Sequence, residues 1–136
     1  MAELQMEVTG IEDLKGCVLT SVQYTENEEI VFKTAQGDVY RMMHEQDCCE
    51  SVYIESIVGD LEDLIGSPVL LAEEVSSEGL DPPHEDYESY TWTFYKLATI
   101  NGSVTIRWFG SSNGCYSESV YFFRENPAAR GEEANG

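Results

Sequence analysis

Apolar and polar residues alternate with a period of two along most of this chain, which predicts strands rather than helices. Cys17 to Tyr24 alternates in this way, and Thr25-Glu26-Asn27-Glu28 makes a turn. Glu29 to Thr34 and Val39 to Met43 predict two more strands joined by Gln36-Gly37-Asp38, so a meander is expected. Residues 1–10 fit a loose lead-in or a short edge strand. His44 to Glu50 is polar and breaks the pattern. Ser51 to Val58 fits a strand or a helical turn. Gly59 to Gly66 predicts a short helix of about two turns. Asp60 can cap it, Leu61, Leu64 and Ile65 share one face, and Gly66 ends it ahead of Pro68. Val69 to Val75 predicts a buried strand. Ser76 to Ser89 predicts a long acidic loop around Pro82-Pro83, suited to a flap or an insertion.

The strongest local signal is a hairpin. Trp92 to Ile100 and Ser103 to Phe109 are rich in β-branched and aromatic residues, and Asn101-Gly102 lies between them. Both turn residues tolerate positive φ, so a two-residue turn is expected to fix the register. That register sets Ile100 opposite Ser103, Ala98 opposite Thr105, Lys96 opposite Arg107 and Phe94 opposite Phe109. One face then carries Tyr95, Leu97, Val104, Ile106 and Trp108, a layer suited to a core. Gly110 to Gly114 predicts a second turn, and Cys115 to Arg124 a last strand. The expected fold is α+β and β-rich: antiparallel meander sheets with one short helix. It forms a single domain over residues 1–125, followed by a disordered tail over 126–136.

Charge sharpens the hairpin. The chain has 26 acidic and seven basic residues and a net charge of -19. Two of those few cations, Lys96 and Arg107, are expected to face each other, and like charges directly opposite repel. Either acids of this same protein meet them, or they hold an anion from outside. Trp92, Phe94, Thr105 and Phe109 share their face. Cations, a hydroxyl and aromatic rings suit an anion attached to a flat ring, such as a nucleotide. From Met42 to Tyr95 there is no Lys or Arg. That field repels nucleic acid and membrane surfaces. It suits solubility, a basic partner or imitation of nucleic acid. Hydrophobic residues make up 42% of the chain, enough for a core. No run approaches a membrane span and no signal-peptide pattern opens the chain, so a cytoplasmic protein with reduced thiols is expected.

Two further places could carry chemistry. His44-Glu45-Gln46-Asp47-Cys48-Cys49-Glu50 gathers an imidazole, carboxylates and thiols. Zinc could use His44 with a cysteine, or His44 could activate a thiol. The spacing matches no paired-cysteine knuckle, and the acidic surroundings blunt a thiolate. The expectation is a hydrogen-bonded corner, with neither a metal nor a catalytic role. The loop around Asn113 and Tyr116 lets a ligand approach the backbone. No P-loop, dinucleotide-binding glycine pattern or hydrolase triad order is present, so a non-enzyme without cofactors is expected.

Three blocks carry a resemblance: His44 to Glu55, Gly59 to Pro68, and Trp92-Thr-Phe-Tyr-Lys with Gly102-Ser-Val-Thr-Ile-Arg-Trp and Ser112-Asn-Gly. Over roughly residues 37–121 the chain resembles a small phage and prophage family. That family is similar to the phage sponge proteins that counter Thoeris defence. The resemblance implies binding, without cleavage, of cyclic ADP-ribose isomers made by TIR-domain enzymes, and of CBASS cyclic oligonucleotides in some members. It implies a β-rich homo-oligomer, a dimer or higher, in the cytoplasm of an infected or lysogenic bacterium. Partners would be a small cyclic nucleotide, with no nucleic acid and no membrane. Arg107 would pair with phosphate, Lys96 would add charge, and Trp92 or Phe94 would stack on the base. Asn113 would read a ribose or base edge, and Arg41 is a further phosphate candidate. The other expectation is an acidic nucleic-acid mimic that inhibits a host defence nuclease, in the manner of some anti-CRISPR proteins.

Overall fold

A computed structural model describes residues 6–44, 50–77, 89–112 and 118–125. Among the described residues nine antiparallel strands run in order: β1 (Met6–Val8), β2 (Leu19–Thr25), β3 (Glu29–Thr34), β4 (Val39–Met43), β5 (Glu50–Val58), β6 (Leu71–Ser77), β7 (Ser89–Thr99), β8 (Gly102–Ser112) and β9 (Tyr121–Glu125). They form a five-stranded sheet, β1-β9-β4-β3-β2, and a four-stranded sheet, β5-β8-β7-β6. The expected meander is β2-β3-β4. The N-terminal lead-in is an edge strand, pairing Val8 with Phe123.

The two sheets share one core. Ile30, Phe32, Tyr40, Met42 and Phe122 come from the first sheet, and Val52, Ile54, Tyr95, Leu97, Val104, Ile106 and Trp108 from the second. The hairpin's expected core layer is therefore buried as its alternation requires. Trp108 Nε1–H donates to Met42 Sδ across the interface at 3.2 Å. Ile11 and Leu14, on a 3-10 turn absent from the sequence expectation, complete the cluster.

The expected helix is absent, and among the described residues the fold is all-β with two 3-10 turns. Leu61–Leu64 forms a single such turn. Asp60 caps it, accepting from the Glu62 N–H at 3.0 Å. Asp60 and Ile65 are both extended, at φ -111°, ψ 118° and φ -97°, ψ 138°, so the helical backbone lasts one turn only. The segment read as a buried strand from Val69 is instead the exposed edge strand β6, with Glu73, Glu74 and Val75 open to solvent. Gly110–Ser112 continues β8 rather than turning, and β9 is shorter than the last strand expected. Residues 113–117, residues 78–88 of the expected acidic loop and the expected C-terminal tail lie outside the described residues.

Register departs from expectation by two residues. Thr99 pairs with Gly102, Phe94 with Arg107 and Lys96 with Thr105, so Ile100-Asn101 forms the turn. Asn101 does not adopt positive φ. Tertiary contacts outweigh the Asn-Gly preference. Thr99 Oγ1 accepts from the Asn101 N–H at 3.1 Å and donates to the Asp63 carbonyl. The Asn101 amide donates to Ser67 Oγ at 3.3 Å. The Asp63 carboxylate lies against Gly102, where an added Cβ would stand 2.6 Å from Oδ2. Gly102→Ala is therefore expected to cost about 1–2 kcal/mol in chemical denaturation. Combining it with Asp63→Ala should recover part of that loss; if it recovers nothing, the crowding is not the cause.

Glu74 gives a second expectation. Although Glu74 is exposed at the sheet edge, partial desolvation of its carboxyl, and secondarily the Glu12 charge, push its pKa up. A carboxyl raised in the folded state adds stability below its unfolded pKa and loses it as pH rises through the folded value. Solvent screening keeps the effect small: Glu74→Gln should raise the melting temperature at pH 7 by about 1 °C or less, and by less still near pH 4. An equal shift at both pH values would refute this account.

Candidate functional site

The outward face of the four-stranded sheet carries the hairpin residues singled out by the sequence. Period-two alternation preserves the face although the register moved, because the shift is even. Trp92, Phe94 and Lys96 stand on β7, and Thr105, Arg107 and Phe109 on β8. Three cross-strand rows follow from the pairings. Glu73, Lys96, Thr105 and Val58 form the first. Val75, Phe94, Arg107 and Ser56 form the second. Trp92, Phe109 and Tyr53 form the third.

Lys96 and Arg107 are diagonal neighbours, not a direct pair, so the expected repulsion at contact is absent. Each faces an acid. Lys96 stands opposite Glu73 across β6 and β7. Arg107 donates from Nε and Nη2 to Glu55 Oε1 at 2.9 and 2.8 Å. A β-bulge between Ile54 and Ser56 supplies Glu55. The extra residue breaks the ladder locally and re-aims a side chain, as bulges do. For Arg107, the acid that meets it comes from this same protein.

Rings surround that ion pair. The Arg107 guanidinium lies 5.2 Å from the Trp92 ring centroid, in cation–π range. Trp92 meets Phe109 edge-on at 4.8 Å and stacks with Phe94 at 6.3 Å. Tyr53 and Tyr90 each contact Phe109 at 6.0 Å. Phe109 is fully buried and Trp92 is 6% exposed. Their faces are already used, so stacking on a ligand falls to the part-exposed Phe94, Tyr53 and Tyr90. Sequence reasoning missed Tyr90, one alternation step before Trp92. It also missed Tyr53 and Glu55, which reach the face only through the pairing of β5 with β8.

Arg41 is not part of this face. It stands on β4 in the other sheet, held by Glu29 at 3.1 Å and Glu125 at 3.0 Å. Asn113 and Tyr116 lie outside the described residues.

The polar corner ahead of β5 is partly described. His44 is buried, stacks on Tyr121 at 5.3 Å and donates from Nδ1 to the Ser119 carbonyl at 2.7 Å. Its Nε2 stands 3.4 Å from Glu50 Oε1. Cys48 and Cys49 lie outside the described residues. Cys17 is a half-buried free thiol whose pKa is pushed up by burial and then by Asp38 and Asp13, so it is not a ready nucleophile.

The family model for a domain of unknown function, DUF7448, matches residues 6–122. The chain belongs to the DUF7448 family. That match runs from β1 into β9 and takes in both sheets and the aromatic face. No curated protein and no solved structure matches the chain. Among the described residues, no helix of this DUF7448 domain is long and apolar enough to cross a membrane.

Proposed function

We propose that this chain is a non-catalytic binder that sequesters a small cyclic nucleotide on the outward face of its four-stranded sheet. The observation that carries the reading is the Arg107 guanidinium laid over Trp92, beside part-exposed Phe94. A cation held among rings, on a face that does not serve the core, suits a ligand combining negative charge with a planar base. Phosphate would displace Glu55 from Arg107, Lys96 would add charge, and Phe94 would stack on the base. The resemblance narrows the ligand to a cyclic ADP-ribose isomer or a cyclic oligonucleotide of a bacterial defence system. It makes the protein a phage sponge, homo-oligomeric and cytoplasmic. Mass spectrometry of small molecules released by heating the purified protein tests this. An intact cyclic nucleotide supports it; linear ADP-ribose recovered after incubation with a cyclic isomer overturns the binding-only reading.

One observation favours a different class. Among the described residues every arginine already meets a glutamate: Arg41 with Glu29 and Glu125, Arg107 with Glu55, Arg124 with Glu7. Glu73 and Glu74 remain exposed on an edge strand. Such a surface suits an acidic mimic of nucleic acid that occupies a defence nuclease. Charge reversal at Glu73, Glu78, Glu85 and Glu88 separates the readings. A mimic loses inhibition with folding unchanged, whereas a sponge keeps it.

A further inference from the structure

We propose that a cleft beside the ring-bearing face is a sugar subsite, in which Glu28 accepts hydrogen bonds from the ribose hydroxyls of the nucleotide held at Arg107. The inference rests on the reading of that face as a cyclic-nucleotide site and adds a second contact to it. The cleft lies where the turn between β2 and β3 meets β5. Asn27, Glu28 and Glu29 line it from the turn, and Ser51, Val52 and Tyr53 from the strand. The Ile54 N–H donates to the Asn27 carbonyl at 3.0 Å and ties the two together. The cleft holds about 270 Å³. Pockets that enclose a whole drug-sized ligand run from roughly 300 to 1,000 Å³, so this one suits part of a nucleotide rather than all of it.

Tyr53 joins the cleft to the face. It lines the cleft and also meets Phe109 at 6.0 Å. Ser56 opposes Arg107, and Tyr53 opposes Phe109 one row further on. Two residues along a strand span about 6.6 Å. In a nucleotide the ribose is bonded directly to its phosphate. A phosphate on Arg107 can therefore set its sugar one row away, against Tyr53 and the cleft. The chemistry of the wall decides which part of the ligand enters. Glu29 Oε2 is held by Arg41 at 3.1 Å, whereas Glu28 is exposed. An ionised carboxylate only accepts hydrogen bonds. It repels a phosphate and takes a hydroxyl. A carboxylate on a ribose hydroxyl is also how dinucleotide-binding sites hold their sugar.

Calorimetric titration of the full chain tests the subsite, with cyclic ADP-ribose and with analogues lacking each ribose 2′-hydroxyl in turn. Glu28→Ala should weaken binding of cyclic ADP-ribose by about tenfold. One of the deoxy analogues should bind the parent chain about tenfold less well and lose nothing more in Glu28→Ala, because the variant and the analogue remove the same contact. Charge alone predicts the opposite sign, since removing an acid near an anion site strengthens binding. Glu26→Ala, in the same turn but not lining the cleft, isolates that effect and should bind as the parent does or better. Arg107→Ala separates the subsite from the reading on which it rests. Weakened binding in Arg107→Ala with parent-like binding in Glu28→Ala overturns the subsite and leaves the face as the binding site. Stronger binding in Glu28→Ala, or an equal further loss for every analogue, also overturns it. A parent chain that takes up no cyclic ADP-ribose overturns the reading of the face, and the subsite with it.

Discussion

Replacing Trp108 with alanine is expected to remove about 3–5 kcal/mol of stability, a large part of what a domain of this size possesses. Trp108 is among the largest fully buried side chains, and β8, which carries it, is an interior strand of its sheet. It pairs with Ile54 on one side and Thr93 on the other. Its indole then reaches the other sheet through Met42 Sδ. Met42 is itself flanked by Ile30 and Phe122 in the first sheet. Truncation therefore opens a cavity between two layers whose backbones are fixed by their own ladders and cannot collapse into it. Met42→Leu isolates the polar part. It conserves volume but leaves the indole N–H buried without an acceptor, at a cost of about 1–2 kcal/mol. Urea unfolding followed by circular dichroism and fluorescence measures both. A loss below about 1.5 kcal/mol for Trp108→Ala would mean that the sheets do not depend on this contact.

Local pattern and tertiary placement divided the information in this chain unevenly. The bounds of β3 and β4 follow from alternation and turn residues, and so does which hairpin face enters the core. These depend on period two alone, which any even register preserves. The pairing partner within the hairpin depends on Asp63, Ser67 and Thr99, contacts that bring Gly102 into the ladder. No local rule contains them. The helix expectation failed because capping residues and an apolar stripe are equally compatible with one 3-10 turn. The extended backbone at Asp60 and Ile65 stops it at one. The segment from Val69 reads as a buried strand because Val69 and Ala72 are buried, yet Leu70 and Val75 are exposed and β6 is a sheet edge. The site suffered most from what lies off the hairpin. Glu55 is placed by a bulge, and nothing in Tyr53-Ile54-Glu55-Ser56 announces that two residues there oppose one on β8.

That bulge yields the second large expectation, because it makes Glu55 and Arg107 opponents in any anion-binding role. Arg107→Ala removes a planar donor able to pair two phosphate oxygens, a charge-assisted contact of about 1.5–3 kcal/mol. Affinity for a cyclic nucleotide should fall by about ten- to a hundredfold. Folding should survive with a cost near 1 kcal/mol, from the half-exposed ion pair and the lost cation–π contact. No gain from relieved repulsion is expected, since Lys96 is not opposite Arg107. Glu55→Gln should act in the reverse direction. It keeps the side chain's shape and lifts the competing charge from the guanidinium, so affinity should rise by up to about tenfold. Arg107→Lys should recover only part of the loss, because an ammonium lacks the fork. Calorimetric titration with a cyclic ADP-ribose isomer, beside thermal melting of each variant, reads both quantities. Opposite signs for Arg107→Ala and Glu55→Gln place the ligand anion at the guanidinium. Equal stability losses in the two, with ligand binding absent or unmoved, make the pair an internal brace and return the acidic surface to first place as the functional feature.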